Sequence, residues 1–159
     1  MHKIIFLLLT LALAFGCNEP SFKTIGSVQQ LDPSLAQITD TTAPVEIIAE
    51  GFNWTEGPLW VESEKMLLFS DIPPNKIFKW TETKGTELYL TPSGYTGATP
   101  RTGEPGSNGL LLNKEGKLVM CQHGDRRMAM MDAPLNAPKA LFVSLADNYK
   151  GKKFNSPND

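Results

Sequence analysis

The chain has 159 residues, of which 41% are hydrophobic and 20% charged, as expected for one soluble globular domain. These values exclude collagenous and disordered chains, and two cysteines are too few for a disulfide framework. Lys and Arg number 15 against 17 for Asp and Glu, so no basic surface that could neutralise phosphates is expected. We therefore predict that nucleic acid is not a partner.

The first 16 residues have the pattern of an export signal. Lys3 precedes the apolar run Ile4–Leu13, which is too short for an ordinary membrane-spanning helix. Ala14 and Gly16 precede Cys17 in a pattern that resembles a bacterial lipobox, in which the cysteine is lipidated, although leucine usually stands where Ala14 does. We predict an exported periplasmic or cell-envelope lipoprotein that meets the membrane only through a lipid on Cys17. The alternative is plain secretion with a buried or free cysteine.

Residues 17–44 are polar and poor in aromatic side chains, and we predict that they form a tether. Asp32-Pro33-Ser34 supply an N-cap and a first-turn proline for a short helix that ends at Ile38. From residue 45 onwards the composition changes to short apolar segments separated by turn residues. The predicted domain therefore runs over residues 45–159.

This domain has the pattern of an all-β fold, with no helical periodicity. The first four predicted strands are Pro58–Val61, Met66–Ser70, Lys76–Trp80 and Glu87–Thr91. The next four are Gly109–Leu112, Lys117–Gln122, Arg127–Met131 and Lys139–Ser144. Residues 113–116 are predicted to form the first hairpin turn of the second set.

The two sets of strands repeat. Glu56-Gly57-Pro58-Leu59 matches Asn108-Gly109-Leu110-Leu111 at a spacing of 52, and Asn158 follows Asn108 by 50. Four strands in a period near fifty residues are typical of a β-propeller blade. We predict two blades and the start of a third. Because propellers usually have about four blades or more, we expect the chain to be the amino-terminal portion of a longer propeller or a truncated product.

Oxygen-bearing side chains occupy one repeat position, at the start of each inner strand. They are Glu56, Asn108 and Asn158. Inner strands line the channel of a propeller, so these side chains are expected to converge on one axis. Carboxylate and amide oxygens suit a hard cation such as Ca²⁺ or Mg²⁺. The alternative is that the asparagines only make turns and Glu56 is solvated.

The second strand of each blade returns to the same end of the sheet, where Asp71 and His123 lie 52 residues apart. We interpret Asp71 as structural, accepting hydrogen bonds from backbone amides in its own turn. His123 is a candidate for the pocket because of its repeat position, the alternative being a packed or surface histidine. Arg126 and Arg127 could bind an anionic substrate group or could simply be solvated in a turn.

The segment Pro92–Ser107 is too long for a minimal connection between blades, and it either covers a site or is disordered on the rim. The large aromatic side chains are assigned to core and inter-blade packing rather than to ligand stacking. They are Trp54, Trp60, Trp80, Phe69 and Phe78.

Five motifs in order resemble the gluconolactonase, senescence-marker-protein and luciferin-regenerating-enzyme family, above all its bacterial gluconolactonase branch. They are Glu56-Gly57-Pro58-Leu59-Trp60, Phe69-Ser70-Asp71-Ile72-Pro73, Ser107-Asn108-Gly109-Leu110, His123-Gly124-Asp125-Arg126-Arg127 and Asn155-Ser156-Pro157-Asn158-Asp159. The resemblance runs from about Val45 to the end of the sequence. It implies a six-bladed propeller with one divalent metal in the channel and hydrolysis of sugar lactones or related cyclic esters.

The resemblance also implies roles for individual residues. Glu56 matches a metal ligand and Asn158 a ligand of the metal or substrate, whereas Asn108 matches a channel position that contacts the metal or the substrate. His123 and Arg126 would border the substrate, with His123 also the candidate for a catalytic role. Ca²⁺ is the expected ion, with Zn²⁺ or Mg²⁺ as alternatives. A further asparagine ligand and the aspartate expected to act as general base would fall beyond Asp159, so we expect this chain alone to be inactive or weakly active.

Two other functions fit the same fold. A propeller on the cell envelope can be a non-catalytic binding module, since a fold fixes no activity. A related propeller esterase would act on phosphotriesters or aryl esters. A substrate panel with metal chelation separates these alternatives from a lactone hydrolase.

Overall fold

A computed structural model describes residues 22–159 and shows no α-helix among them. No helix in this part of the chain is both long and apolar enough to cross a membrane. The predicted export signal and Cys17 lie outside the described residues, so their assignments stay predictions. The described chain falls into two compact units that divide after Ile47.

The first unit contains two short strands and a helical turn. Strand β1 (Lys23–Thr24) pairs antiparallel with β2 (Glu46–Ile47). Between them Pro33–Gln37 form a 3-10 helix. Asp32 caps it by accepting hydrogen bonds from the Ser34 amide at 2.8 Å and the Ser34 hydroxyl at 2.6 Å, and these bonds lower the pKa of the Asp32 carboxyl. The predicted cap is confirmed, and the predicted helix is a 3-10 helix that ends at Gln37.

The second unit begins with a four-stranded antiparallel sheet, here called blade 1. Its strands, in both chain and spatial order, are β3 (Thr55–Val61), β4 (Met66–Asp71), β5 (Lys76–Thr81) and β6 (Gly85–Leu90). The apolar run Met66–Phe69 makes β4 a strand that is buried along almost its whole length. Short turns close each hairpin, so each strand pairs with the next along the chain.

Blade 2 repeats this meander. Its strands are β7 (Ser107–Leu112), β8 (Leu118–Gln122), β9 (Arg127–Met131) and β10 (Phe142–Ala146). The predicted turn at residues 113–116 is present, and Asn113 Oδ1 accepts a hydrogen bond from the Lys117 amide at 2.8 Å. All eight predicted strands therefore exist, with ends displaced by at most three residues. The all-β propeller architecture is confirmed.

The main core lies between the two blades. Leu68 and Ile77 from blade 1 pack in one apolar cluster with Leu118, Met120 and Met131 from blade 2, and all five are 0% exposed. Full burial of such a side chain contributes roughly 1.5–3 kcal/mol relative to leaving it in water. The packing fixes the inner strands β3 and β7 side by side, because each blade buries one face against the other.

The repeat differs by one residue from the spacing predicted along the inner strands. Leu59 pairs with Leu68, and Leu110 pairs with Met120, so Leu59 corresponds to Leu110 at a spacing of 51 rather than to Leu111 at 52. The turn between β7 and β8 is one residue longer than the turn between β3 and β4, which accounts for the difference. Both inner strands carry a β-bulge near their start.

After blade 2 the chain forms a small hairpin, with β11 (Asn148–Tyr149) paired to β12 (Lys152–Lys153). The last residues then return beside β7, where the Gly109 amide donates a hydrogen bond to the Asn158 carbonyl at 2.8 Å. The predicted start of a third repeat therefore lies against the inner strand of blade 2.

The packing role predicted for the aromatic side chains holds for Trp80 and Phe69, which are 8% and 7% exposed. It is wrong for Trp54 and Trp60, which are about half exposed. Each of these two indoles donates its Nε1–H to a carboxylate two residues later in the chain. Phe52 completes an aromatic cluster on the open face of blade 1, with its ring 4.9 Å from that of Phe69.

Candidate functional site

The starts of the inner strands lie next to one another. A Cβ atom on Gly57 would lie 2.4 Å from the Asn108 carbonyl oxygen, and Gly57 has a φ of +58°, so only glycine fits there. A Cβ on Gly109 would likewise meet the Asn158 carbonyl at 3.0 Å. The backbone segments that carry Glu56, Asn108 and Asn158 are therefore successive neighbours, as the repeat predicted. In the strand pairing, however, the residue of blade 2 that corresponds to Glu56 is Ser107 and not Asn108. Glu56 pairs with Ser70 in blade 1, and Ser107 pairs with Gln122 in blade 2.

Glu56 is partly buried in β3. Its Oε1 accepts a hydrogen bond from Trp54 Nε1 at 3.2 Å. Glu56 also lines a groove of about 310 Å³ together with Phe52 and Phe69. The carboxylate is thus held by an indole at the edge of an apolar wall.

Asn108 is the most deeply buried member of the set, at 2% exposed. Its Nδ2 lies 3.1 Å from Nδ1 of His123, and its Oδ1 is buried with no hydrogen-bond partner among the described residues. A buried carbonyl oxygen without a partner costs about 1–3 kcal/mol. Buried polar atoms in native folds are normally hydrogen-bonded to protein, to water or to a ligand.

Two buried serines join the inner strands below Asn108. Ser70 Oγ lies 2.8 Å from Ser107 Oγ and donates to the Asn108 carbonyl at 2.9 Å. Both serines are 0% exposed. These bonds fix the backbone of Asn108 against blade 1, so the position of its side chain is set by both blades.

Asp71 has the structural role predicted for it, but with different partners. Its carboxylate accepts hydrogen bonds from the backbone amides of Asn53, at 3.1 Å, and Trp54, at 2.9 Å. These amides precede β3 and do not belong to the turn that follows Asp71. Asp71 therefore anchors the segment that leads to Glu56.

The long segment Pro92–Ser107 contacts both blades. Asn75 Oδ1 accepts hydrogen bonds from the amides of Ser93 at 3.0 Å and Gly94 at 2.7 Å, and its Nδ2 donates to the Tyr95 carbonyl at 2.8 Å. Further along the segment, Glu104 Oε2 lies 3.7 Å from His123 Nε2. The segment was predicted either to cover a site or to be disordered on the rim. These contacts fit an ordered segment and not a disordered one.

The turn after β8 presents His123 and engages the two arginines. Arg126 Nε donates to the Phe154 carbonyl, and Arg127 Nε donates to Gln122 Oε1 at 2.6 Å. Arg127 also pairs with Asp125 at 3.2 Å. Both guanidinium groups thus have protein partners, and a substrate contact of Arg126 stays a prediction.

Asn158 is exposed, and its Nδ2 lies 3.3 Å from Asp159 Oδ2. The structure thus brings its backbone to β7 and leaves its side chain accessible. Another groove, of about 540 Å³, is lined by residues such as Glu115 and Asp132 and contains none of the predicted site residues.

The sequence and fold match one known family. The model of the SMP-30/Gluconolactonase/LRE-like region matches residues 54–159. The chain belongs to this family. A curated gluconolactonase from Zymomonas mobilis subsp. mobilis is 41% identical over 144 residues, covering 89% of this chain and 39% of that protein. The chain thus spans well under half the length of this curated relative.

Solved structures of the family have the same fold. A gluconolactonase from Xanthomonas campestris, described as important in glucose secondary metabolic pathways, superposes with a TM-score of 0.57 at 28% identity. The match covers 70% of this chain and 32% of that one. A second X-ray structure, described as a candidate gluconolactonase, gives a TM-score of 0.56 at 36% identity, covering 70% and 33%.

The residues of this family member fit a hard cation. Among residues 22–159 no group of three or more His, Cys, Asp and Glu side chains is placed to hold a metal ion. A cation site built from these residues would need oxygen donors other than carboxylates, and Oδ1 of Asn108, which has no partner among the described residues, is such a donor. Glu56 adds the one carboxylate of the predicted set, and oxygen donors of this kind suit Ca²⁺.

Sequence reasoning missed Glu104 and Asn75. Glu104 lies in a Gly- and Pro-rich segment with no repeat partner, so no pattern marked it as a neighbour of His123. Asn75 follows Pro73-Pro74 and has a φ of +59°, a signal for a turn residue. That signal indicates local backbone geometry but not the three residues of the loop, 93–95, that the Asn75 side chain holds.

Proposed function

We propose that this chain takes part in the divalent-cation-assisted hydrolysis of a sugar lactone, with the starts of β3 and β7 as the reaction site. The family membership supports lactone hydrolysis as the class of reaction. The observation that carries the proposal is the buried Oδ1 of Asn108, which has no hydrogen-bond partner among residues 22–159 and belongs to a residue whose backbone carbonyl lies against Gly57, next to Glu56. A lone buried acceptor at that point is satisfied by an ion or by a hydroxyl of the substrate.

Glu56, Asn108 and Asn158 would hold the ion through side-chain oxygens, with Ca²⁺ as the proposed species and Zn²⁺ or Mg²⁺ as alternatives. A bound divalent cation polarises a carbonyl and lowers the pKa of a nearby water. Trp54 orients the Glu56 carboxylate through its Nε1–H. Phe52 and Phe69 exclude water from the adjoining wall of the groove.

The proton from the attacking water needs a base. We propose that this base is a carboxylate outside residues 48–159, as the family resemblance implies, since Glu56 is assigned to the ion. The 159-residue chain alone is then expected to hydrolyse lactones weakly while still binding the ion through part of the site.

Terbium(III) luminescence tests the ion site, because Tb³⁺ takes the same oxygen ligands as Ca²⁺ and is sensitised by a nearby indole. Trp54 donates a hydrogen bond to Glu56, so an ion on Glu56 lies close to a tryptophan. We expect sensitised emission that Ca²⁺ displaces, and a loss of affinity of at least about 10-fold in Glu56→Gln.

Glu62→Gln is the matched control. Trp60 Nε1 donates to Glu62 Oε2 at 2.7 Å, so this variant removes the same charge from the same kind of indole–carboxylate pair, away from the inner-strand starts. It is expected to bind Tb³⁺ as the wild type does. Equal affinities of wild type and Glu56→Gln would contradict the proposed site.

Activity is measured by proton release from a gluconolactone, with and without a chelator. Slow chelator-sensitive release supports the lactone hydrolase, whereas ion binding with no turnover on lactones favours the binding module. Faster chelator-sensitive turnover of an aryl ester or a phosphotriester would instead favour the esterase.

We also propose that the chain is exported and anchored to the bacterial cell envelope by a lipid on Cys17. Metabolic labelling with a fatty acid tests this, since Cys17→Ser is expected to abolish incorporation. Cys121→Ser is the control, because Cys121 is buried in β8 and burial raises the pKa of its thiol. Unchanged labelling in Cys17→Ser would contradict the anchor.

A further inference from the structure

The side-chain amide of Asn108 has one orientation because of His123. Nδ2 of Asn108 carries only hydrogens, so at 3.1 Å it must donate to His123 Nδ1. In this orientation of the amide, a neutral imidazole has Nδ1 unprotonated and its proton on Nε2. Oδ1 of Asn108, at the other end of the amide, has no partner among residues 22–159.

Turning the amide over would be unfavourable. With the ring proton on Nε2, where the nearby Glu104 carboxylate favours it, Oδ1 would then face the lone pair of His123 Nδ1, and the two hydrogens of Nδ2 would lie where no acceptor is present among the described residues. The contact with His123 thus leaves an oxygen, rather than an NH₂ group, at the end of the amide that has no partner among the described residues.

Glu104 favours the same tautomer. Its Oε2 lies 3.7 Å from His123 Nε2, which is too long for a hydrogen bond but close enough for a carboxylate to favour a proton on that nitrogen. The opposite tautomer would place a lone pair towards the carboxylate and a proton towards Asn108 Nδ2. Both changes are unfavourable, so the two neighbours of the ring act in the same direction.

The backbone holds this arrangement rigidly. The Arg126 amide donates to the His123 carbonyl at 3.2 Å, which closes the turn that carries the imidazole. Gly124 lies so close to the Pro105 carbonyl that a Cβ would be 2.3 Å from it. Pro105 adjoins Glu104, so the long segment delivers the carboxylate to the ring.

We infer that His123 is a positioning residue, which with Glu104 fixes the amide of Asn108 so that Oδ1 faces the ion or the substrate. In this role the imidazole acts through Asn108. The consequence for binding rests on the proposed function, but the tautomer and the amide orientation can be measured without it.

The first test is the ring nitrogen assignment. A two-bond ¹H–¹⁵N correlation spectrum of the 159-residue chain in mildly alkaline buffer should show His123 Nδ1 as unprotonated and Nε2 as protonated. The chain has one other histidine, His2, so a His2→Gln variant assigns the signals. A proton on Nδ1 would overturn the inference whatever the chain binds.

The second test is the affinity for Tb³⁺. His123→Leu removes the acceptor for Asn108 Nδ2 and is expected to weaken binding about 10-fold, as for other residues that orient a ligand. His123→Gln keeps an acceptor oxygen and should restore affinity to near the wild-type value. Thermal unfolding of both variants shows whether each is folded.

These outcomes separate the two proposals. If the wild-type chain shows the Nε2–H tautomer but no Tb³⁺ binding that depends on Glu56, the proposed function fails and the orientation of Asn108 stands. If the wild type binds Tb³⁺ and a folded His123→Leu variant binds it equally well, the positioning role is overturned. Equal weakening in the Leu and Gln variants would also overturn it, because the acceptor would then not matter.

Discussion

The two blades have the same four strands but use the end of the second strand differently. In blade 1 this position is Asp71, whose carboxylate accepts hydrogen bonds from two backbone amides. In blade 2 it is His123, whose ring contacts the side chains of Asn108 and Glu104. Structural repetition therefore fixes where a residue lies, whereas the chemistry of its neighbours determines what it does.

The starts of the inner strands differ in the same way. Glu56 is held by an indole from its own strand segment. Asn108 is held by a side chain from the adjacent strand end and by serines that join both blades. Blade 1 thus supplies a charge whose position depends on local contacts, and blade 2 supplies a neutral oxygen whose position depends on long-range contacts.

The largest expected effect concerns the apolar core that holds the blades together. Leu68→Ala in β4 removes a side chain that is 0% exposed between the blades and should cost about 3 kcal/mol of unfolding free energy. Leu111→Ala, whose side chain is 49% exposed on β7, should cost less than about 0.5 kcal/mol. Urea unfolding monitored by circular dichroism measures both. Equal costs would mean that the blades do not share one core.

A smaller effect is expected from the strand ends that carry Asp71 and His123. Asp71→Ala removes the acceptor of the Asn53 and Trp54 amides and should cost about 2 kcal/mol of unfolding free energy. His123→Gln keeps the acceptor for Asn108 and should cost less than about 1 kcal/mol. Urea unfolding measures the loss of unfolding free energy in both variants. A larger loss for the His123 variant than for the Asp71 variant would contradict a structural role for Asp71 and a functional role for His123.

Much of the fold could be predicted because its signals are local. Alternating or continuous apolar segments such as Met66–Phe69, together with turns such as residues 113–116, mark strands and hairpins in the sequence. The repeat then indicates blades. The predicted match between the two inner strands was wrong by one residue. The turn after β7 has one extra residue, so Leu110, and not Leu111, occupies the position of Leu59.

The candidate site was predictable in its location but not in its contacts. The repeat placed Glu56, Asn108 and Asn158 at neighbouring strand starts, and the backbone contacts agree. The partners of their side chains come from distant segments, as Glu104 does from the long connection between the blades. Half-exposed Trp54 was misassigned to the core because hydrophobicity does not reveal that an indole N–H has a carboxylate two residues away.

The central claim is that Glu56 of blade 1 and Asn108 of blade 2 serve one ion, and a double-mutant cycle tests it most directly. Tb³⁺ affinity is measured for the wild type, Glu56→Gln, Asn108→Ala and the double variant, each shown to be folded. If both residues bind the same ion, each substitution should cost at least about 1 kcal/mol less binding free energy when it is made in the other variant than when it is made in the wild type. Effects that add to within about 0.5 kcal/mol would contradict a shared site.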